Sequence, residues 1–342
     1  MTLFAALAIP VRLRLAAQEQ PQEQGKEHTR YKLIDLGTFG GPASYFSNGF
    51  DGILNNRGTA VGWADTSTPD PFPAFCSNSD CFVSHAFRSQ NGVLTDLGTL
   101  PHGVSSQAFW ISPNGLIAGN AQNGQIDPLI PGFPEVRAVM WRNGRIIDLG
   151  TLEGGHESLV STVNSRGQVV GVATNTIPDP FGFFGIQTRA FLWQNGTMQD
   201  LGTLGGPDAN ASFINEGGQV TGSSLTNSTP NPVLDSCGSF ATPFPTQGPF
   251  FWEHGDMTDI GTLGGTCGFP LAFNNRGEVV GQSDLAGDLT FHPFLWTKTQ
   301  GIQDLGTLGG DTGTTEWIND AGDIVGKADL PGPLPQNHHP VL

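Results

Sequence analysis

A five-residue pattern, Asp-[Leu/Ile]-Gly-Thr-[Leu/Phe], occurs six times along the chain and constrains its fold more than any other feature. The separations between successive copies are 61, 52, 52, 59 and 45 residues. The copies begin at Asp35, Asp96, Asp148, Asp200, Asp259 and Asp304. A period in this range is typical of repeat proteins, in which each supersecondary unit buries its apolar faces only against neighbouring units.

Each period predicts four short antiparallel strands, which we name A, B, C and D in chain order. In one period the strands are predicted over residues 158–164, 168–172, 189–193 and 197–202. The pair Asn195-Gly196 between C and D is a strong hairpin signal, because both turn positions need a positive φ. Four such strands in about 50 residues are typical of one blade of a β-propeller. Phe191 and Trp193 share one face of strand C, so their rings are predicted to fill the space between neighbouring blades. The glycine that ends each strand B is predicted to let the next sheet come close.

The first and last segments of the chain complement each other. Tyr31–Gly37 carries a D pattern without A, B or C, whereas the last period ends at Leu342 inside a C pattern. We therefore predict an all-β fold: a six-bladed β-propeller of four-stranded antiparallel blades, closed by the N-terminal strand D pairing with the C-terminal strands A-B-C. The domain spans residues 31–342, and a β-helix is the weaker alternative because the hairpin turns favour antiparallel strands.

Composition supports export and excludes several classes of function. The chain has 48 glycines, 25 prolines and only 13% charged residues, as expected for short strands and many turns. Its net charge of −16, with no basic cluster after Arg14, argues against nucleic-acid binding on electrostatic grounds. Leu3–Val11 is apolar but too short to span a bilayer, so residues 1–17 are predicted to be a signal peptide and residues 18–30 a flexible linker.

Four cysteines fit an exported protein. Cys76 and Cys81 flank a short loop, which favours the pairs Cys76–Cys81 and Cys237–Cys267 among the three possible pairings. A zinc site is the rival interpretation, but the spacing is not that of a zinc ribbon. No cofactor or metal site is predicted.

Strand C of each period starts with a short motif that carries a family resemblance. It reads His85-Ala86-Phe87 in the first period, and Asp-Leu-Gly-Thr-Leu-Gly-Gly is intact at 200–206 and 304–310. The chain resembles the HAF-repeat family of extracellular bacterial repeat proteins over residues 31–342. The resemblance implies a bacterial, exported, β-rich protein and carries no catalytic residue with it.

The aspartate of each D pattern and the histidines His85, His292 and His339 are predicted to serve structural hydrogen bonds. The aspartates lie on strand D, the outermost strand of a blade, and the histidines lie on strand C, the third strand from the axis. Whole blades therefore separate the members of each set, so they cannot converge on one ion. Arg137, Arg189 and Gly248 replace the histidine in three periods, which also favours a structural role.

Binding candidates lie in the connections on one face. The B–C connections are long and uneven, at about 65–84, 121–136, 173–188, 223–247, 283–290 and 327–337, whereas the A–B and C–D turns are tight. Four of these loops carry phenylalanines beside prolines, which are predicted either to grip a partner or to pack as lids on their own blades. These candidates are Phe72, Phe133, Phe181 and Phe244.

Polar candidates lie in the D–A connections, which lead toward the centre of the same face. We predict that these unit-specific groups meet near a central opening. They are His102, His156, Glu157, Asp208 and Asp311.

Three functions follow as hypotheses. The first is an exported, non-enzymatic binding module for a glycan or a surface protein. The second is an extracellular polysaccharide hydrolase or lyase with its site at the central opening, which rests on fold analogy. The third is a purely structural cell-surface repeat module.

Overall fold

The computed structural model describes residues 32–47, 52–182, 184–232, 237, 244–332 and 338–342. Within these residues all regular structure is β-strand, and there is no helix. The predicted signal peptide (1–17) and linker (18–30) lie outside the described residues. The chain divides between Asp35 and Leu36 into two units, of which the second, Leu36–Leu342, holds every strand.

The strands form six successive antiparallel sheets, and five of them have four strands in the order A-B-C-D. Sheet 1 contains β1 (Gly40–Tyr45), β2 (Thr59–Pro69), β3 (Phe82–Gln90) and β4 (Val93–Asp96). Sheet 2 contains β5 (Ser106–Ile111), β6 (Ile117–Ile126), β7 (Pro134–Arg142) and β8 (Arg145–Asp148). Sheet 3 contains β9 (Ser158–Val163), β10 (Val169–Pro178), β11 (Ile186–Gln194) and β12 (Thr197–Asp200).

The second half of the chain repeats this order. Sheet 4 contains β13 (Ala209–Ile214), β14 (Val220–Pro230), β15 (Pro245–Glu253) and β16 (Asp256–Asp259). Sheet 5 contains β17 (Gly264–Phe273), β18 (Val279–Leu285), β19 (Phe291–Thr297) and β20 (Gly301–Asp304). Sheet 6 contains β21 (Gly313–Ile318), β22 (Ile324–Asp329) and β23 (His338–Val341). A parallel bridge between Gln247 and Cys267 links sheets 4 and 5.

Most of the apolar core lies between sheets, at contacts that we call seams. At the seam between sheets 2 and 3, the buried rings of Phe191 and Trp193 pack against Ala118 and Met140 of the preceding sheet. Equivalent clusters occupy each of the other four seams between consecutive sheets. The prediction that Phe191 and Trp193 share one strand face and fill the space between neighbouring sheets is thus confirmed.

A glycine of strand B permits close packing inside each sheet. A Cβ at Gly171 would lie 2.0 Å from the carbonyl oxygen of Leu159 and 3.1 Å from Cε1 of Phe191. The register between β9 and β10 shifts at this glycine, so strand A bulges toward it. The same carbonyl contact, at 1.9 to 2.2 Å, occurs at Gly62, Gly119, Gly222, Gly281 and Gly326. These glycines therefore make room for strands of their own sheet rather than for the next sheet.

The repeated Asp-Leu-Gly-Thr pattern forms the tight exit from strand D. The backbone N–H of Gly98 donates to Asp96 Oδ1 at 2.7 Å, and Gly98 has a φ of 71°, which favours glycine. Thr99 Oγ1 then donates to the carbonyl of Gly103 at 3.0 Å. His85 Nδ1 lies 2.8 Å from Asp96 Oδ2, and His292 contacts Asp304 in the same way at 2.9 Å. The structural role predicted for these aspartates and for His85 and His292 is confirmed.

The A–B turns link the sheets in series. Asn164 Nδ2 donates to the carbonyl of Asn215, Asn215 to that of Asn274, and Asn274 to that of Asn319, at 3.0 to 3.1 Å. Next to these turns, residues of all six repeats line one central cavity of about 430 Å³. Sheets 2 to 6 contribute the ends of their A strands, and the first repeat contributes Gly52, Leu54, Asn55 and Asn56.

Ring closure is not shown by the structure. Sheet 6 has three strands in the described part of the chain, and residues 32–38 form no strand. In sheet 3, strand D pairs with Phe191 to Gln194. Val341 lies opposite Gly326 of strand B, as Phe191 lies opposite Gly171 in sheet 3.

Candidate functional site

The B–C loops are shorter than the sequence predicts, because strands B and C continue into them. In sheet 3, β10 extends to Pro178 and β11 begins at Ile186, so the loop tip spans 179–185 rather than 173–188. The register between these strands shifts after Thr174, which lets the pairing resume at Pro178. The variable segments are therefore tips on rigid hairpins.

Phenylalanine rings join the tips of neighbouring hairpins. The ring of Phe133 lies 5.3 Å from that of Phe75 and 5.8 Å from that of Phe184, both edge-on. Phe181 and Phe244 lie 6.1 Å apart. These rings therefore contact the loops of adjacent sheets, and pairs of this geometry add stability beyond burial. All of them are half-buried except that of Phe75, which is 36% exposed. Phe72 is also half-buried, and its N–H donates to Asp70 Oδ1 at 2.8 Å.

Buried aspartates shape these tips, a role that was not predicted from the sequence. Asp127 Oδ1 accepts from the N–H groups of Leu129 and Ile130 at 2.7 Å, and Asp179 Oδ1 accepts from Phe181 at 3.2 Å. The repeated Pro-Asp-Pro-Phe at 69–72 and 178–181 was the available signal, since aspartate commonly bonds to backbone N–H groups two residues ahead.

The seam between sheets 3 and 4 contains a pocket of about 320 Å³ at the long-loop face. Three predicted candidates line it together, namely Phe181, Asp208 and Phe244. Asn210 and Gln247, which the sequence analysis did not select, add amide groups to the wall. The pocket thus combines two aromatic rings with a carboxyl and two amides.

Asp208 ties strand A of sheet 4 to strand C of sheet 3. Its Oδ1 accepts from the N–H of Thr188 at 2.7 Å. Burial, followed by hydrogen bonding to the carboxyl of Asp179, raises the pKa of Asp208 to about 7. At neutral pH the Asp208 carboxyl is therefore protonated for part of the time.

Glu157 makes the corresponding tie between sheets 2 and 3. It is 2% exposed, and its Oε2 accepts from the N–H of Val136 at 2.7 Å. Burial raises the pKa of Glu157 to about 8, and the charges of Asp127 and Glu135 act in the same direction. Beside it, Glu135 contacts Arg137 at 3.0 Å and His156 at 3.2 Å.

The polar candidates do not meet at a central opening. Glu157 and Asp208 reach back to strand C of the preceding sheet, which separates them by one seam. His102 and Asp311 are exposed on the connections before sheets 2 and 6. The physical reason is that each D–A connection ends at the seam between its own sheet and the preceding sheet. The polar side chains of different connections therefore lie at different seams and do not share one centre.

Both disulfides have the favoured pairing. Cys76–Cys81 closes the loop tip of sheet 1, whereas Cys237–Cys267 joins the loop of sheet 4 to β17 of sheet 5. Cys267 occupies the repeat position of Asp208, eight residues after the aspartate of the D pattern. The disulfide therefore links sheets 4 and 5 at the position where a hydrogen bond to Asp208 links sheets 3 and 4.

Titration of these carboxyls gives a testable dependence of stability on pH. A folded-state pKa above the ordinary 4.5 of Glu157 or 3.8 of Asp208 means that the folded protein binds protons more tightly than the unfolded chain. Their contribution to the free energy of unfolding is therefore full at low pH and is lost as pH rises through about 7 and about 8. Between about pH 5 and about pH 8, we expect the urea midpoint of Glu157→Gln to fall less steeply with rising pH than that of the wild type.

The control is Glu153→Gln, which removes an exposed carboxyl from the same connection. It should leave the pH profile unchanged. If the urea midpoint of Glu157→Gln falls with pH as steeply as that of the wild type, titration of Glu157 does not contribute to the pH dependence of stability.

The described residues contain no group of three or more His, Cys, Asp or Glu side chains arranged to hold a metal ion. Among the same residues, no helix is long and apolar enough to cross a membrane.

No family model matches the chain, and no curated protein matches it. Among solved structures, a candidate gluconolactonase is 14% identical with a TM-score of 0.30, and the match covers 56% of this chain. The chain spans 64% of that structure's length, less than two thirds. A triple arginine-to-alanine variant of AofleA from Arthrobotrys oligospora is 12% identical with a TM-score of 0.36, and the match covers 87% of this chain and 80% of that one. These TM-scores are too low to support an inference about this chain.

Proposed function

We propose that this chain is an exported binding protein of the HAF-repeat type that recognises a glycan through the face bearing its B–C loops. A surface protein is the other partner that this face would suit. Residues 31–342 would form a six-bladed propeller, in which Tyr31–Gly37 supplies strand D of the sixth blade. The two disulfides support export, because such bonds persist in oxidising compartments.

The pocket between sheets 3 and 4 carries the proposal. Phe181 and Phe244 provide aromatic surface, onto which the apolar face of a sugar ring can stack. Asn210, Gln247 and Asp208 provide donors and acceptors for sugar hydroxyls. Aromatic side chains beside a few convergent polar groups in a concave surface are common in small-ligand sites.

One observation favours the alternative, a polysaccharide hydrolase. Asp208 and Asp179 form a carboxyl pair in which the pKa of Asp208 is raised to about 7, a value suited to a general acid. However, Asp179 is 3% exposed and holds the N–H of Phe181. Glu157 and Asp127 repeat the arrangement at the neighbouring seam, which favours a structural role for both pairs.

A glycan-array screen followed by calorimetry tests the binding function. We expect the variant Phe181→Ala/Phe244→Ala to bind the selected glycan about tenfold more weakly or worse, as when aromatic anchors are truncated at an interface. The matched control is Leu289→Ala, since Leu289 is 92% exposed on the B–C turn of sheet 5 and lies outside the pocket.

Equal binding by the double variant and the wild type would contradict the proposal. So would a screen in which no glycan binds. Release of shorter sugars from a bound polysaccharide, lost in Asp208→Asn, would support the hydrolase instead.

A further inference from the structure

The central cavity next to the A–B turns is a second concave site, separate from the long-loop face. Its volume is about 430 Å³, and every repeat contributes to its wall. The half-buried rings of Trp110, Phe273 and Trp317 provide aromatic surface. The sequence predicted only a plain set of hairpins at these turns, so the cavity arises from the convergence of six repeats.

The charged side chains in the described wall of this cavity are acidic. Glu216 and Asp320 line it, and its described lining includes no lysine or arginine. Arg276, which follows the lining residue Asn275, contacts Glu278 at 2.6 Å. The cavity therefore has two carboxylates without a cationic side chain in its wall.

Both carboxylates are held in place by neighbouring turns. Asp320 Oδ1 accepts from the N–H of Asn275 at 2.8 Å, and its Oδ2 accepts from Asn275 Nδ2 at 2.9 Å. Glu216 accepts from the N–H of Ser165 at 3.0 and 3.2 Å. The side-chain and then the backbone hydrogen bond from Asn275 lower the pKa of Asp320, and the charge of Arg276 adds a smaller effect in the same direction. Asp320 is therefore ionised at neutral pH.

We infer that this cavity binds a small organic cation with apolar substituents, such as a quaternary ammonium compound. The tryptophan and phenylalanine rings would contact the apolar groups and attract the positive charge through their π faces. Glu216 and Asp320 would supply the opposite charge at the rim. This inference does not rest on the glycan-binding proposal, because the two sites share no residue.

Ligand-observed NMR titrations with choline and with dimethylbutanol, its uncharged carbon isostere, test the inference. We expect saturable binding of choline and much weaker binding of the isostere. The variant Glu216→Gln/Asp320→Asn leaves one acceptor oxygen at each position for the backbone N–H of Ser165 or Asn275, and it gives up the bond from Asn275 Nδ2. It should weaken choline binding roughly two- to fivefold for each carboxylate removed, the range of partly solvated ion pairs.

The matched control is Glu153→Gln/Asp256→Asn, which removes two exposed carboxylates away from the cavity. Its affinity for choline should equal that of the wild type. Equal binding of choline and its isostere, an unchanged affinity in Glu216→Gln/Asp320→Asn, or no saturable choline binding would each overturn the inference.

Discussion

Replacement of Gly171 by alanine is expected to destabilise the protein by about 3 kcal/mol or more, at or above the upper range for overpacked sites. The added Cβ would lie 2.0 Å from the carbonyl oxygen of Leu159, a distance that real Cβ atoms do not adopt. That oxygen belongs to the backbone of β9, so relief requires a shift of strand A in its sheet. The urea midpoint of Gly171→Ala measures the effect.

Gly248→Ala is the matched control, because Gly248 also lies within a strand but has room for a side chain. The nearest atoms to its added Cβ would be 3.5 to 3.7 Å away, in ordinary contact. Histidine or arginine occupies the same repeat position in other sheets, at His85, Arg137 and Arg189. We expect this variant to be neutral or slightly stabilised, since alanine lowers the entropy of the unfolded chain. Equal losses in the two variants would contradict the bulge explanation.

The sequence predicted the sheets well because their determinants are local. Asn195 and Gly196 have φ values of 53° and 88°, as the predicted turn between strands C and D requires. The spacing of Phe191 and Trp193 on one strand face also predicted their burial between sheets. These features depend on neighbouring residues along the chain and on the strand period of two.

The candidate site was predicted less well, because it depends on contacts between repeats. The sequence selected Phe181, Asp208 and Phe244 separately, and only the packing of sheets 3 and 4 brings them into one pocket. The raised pKa of Glu157 arises from burial at a seam, which a local pattern does not show. The central cavity likewise needs residues from six periods at once.

Substitution of Leu33 by aspartate tests whether the chain closes into a ring by pairing residues 31–37 with sheet 6. Leu33 occupies the repeat position of Ile146, Met198, Met257 and Ile302. All four of these side chains pack against seam clusters. If residues 31–37 complete the sixth blade, Leu33 is buried in the same way, and Leu33→Asp should lower the free energy of unfolding by about 2 to 3 kcal/mol.

Ile34→Asp is the control, since four of the other five D strands carry a polar side chain at the position of Ile34. These are Thr95, Gln199, Thr258 and Gln303, and the exception is Ile147, which packs against a seam cluster. In a closed ring, Ile34→Asp should change the stability by less than about 0.5 kcal/mol, as at an ordinary surface site. In the structure described here, Leu33 is 99% exposed and Ile34 is 50% exposed, so without closure neither substitution has a seam to disrupt. Urea unfolding of both variants therefore separates the two arrangements: a loss confined to Leu33→Asp supports the ring, and two equally small effects contradict it.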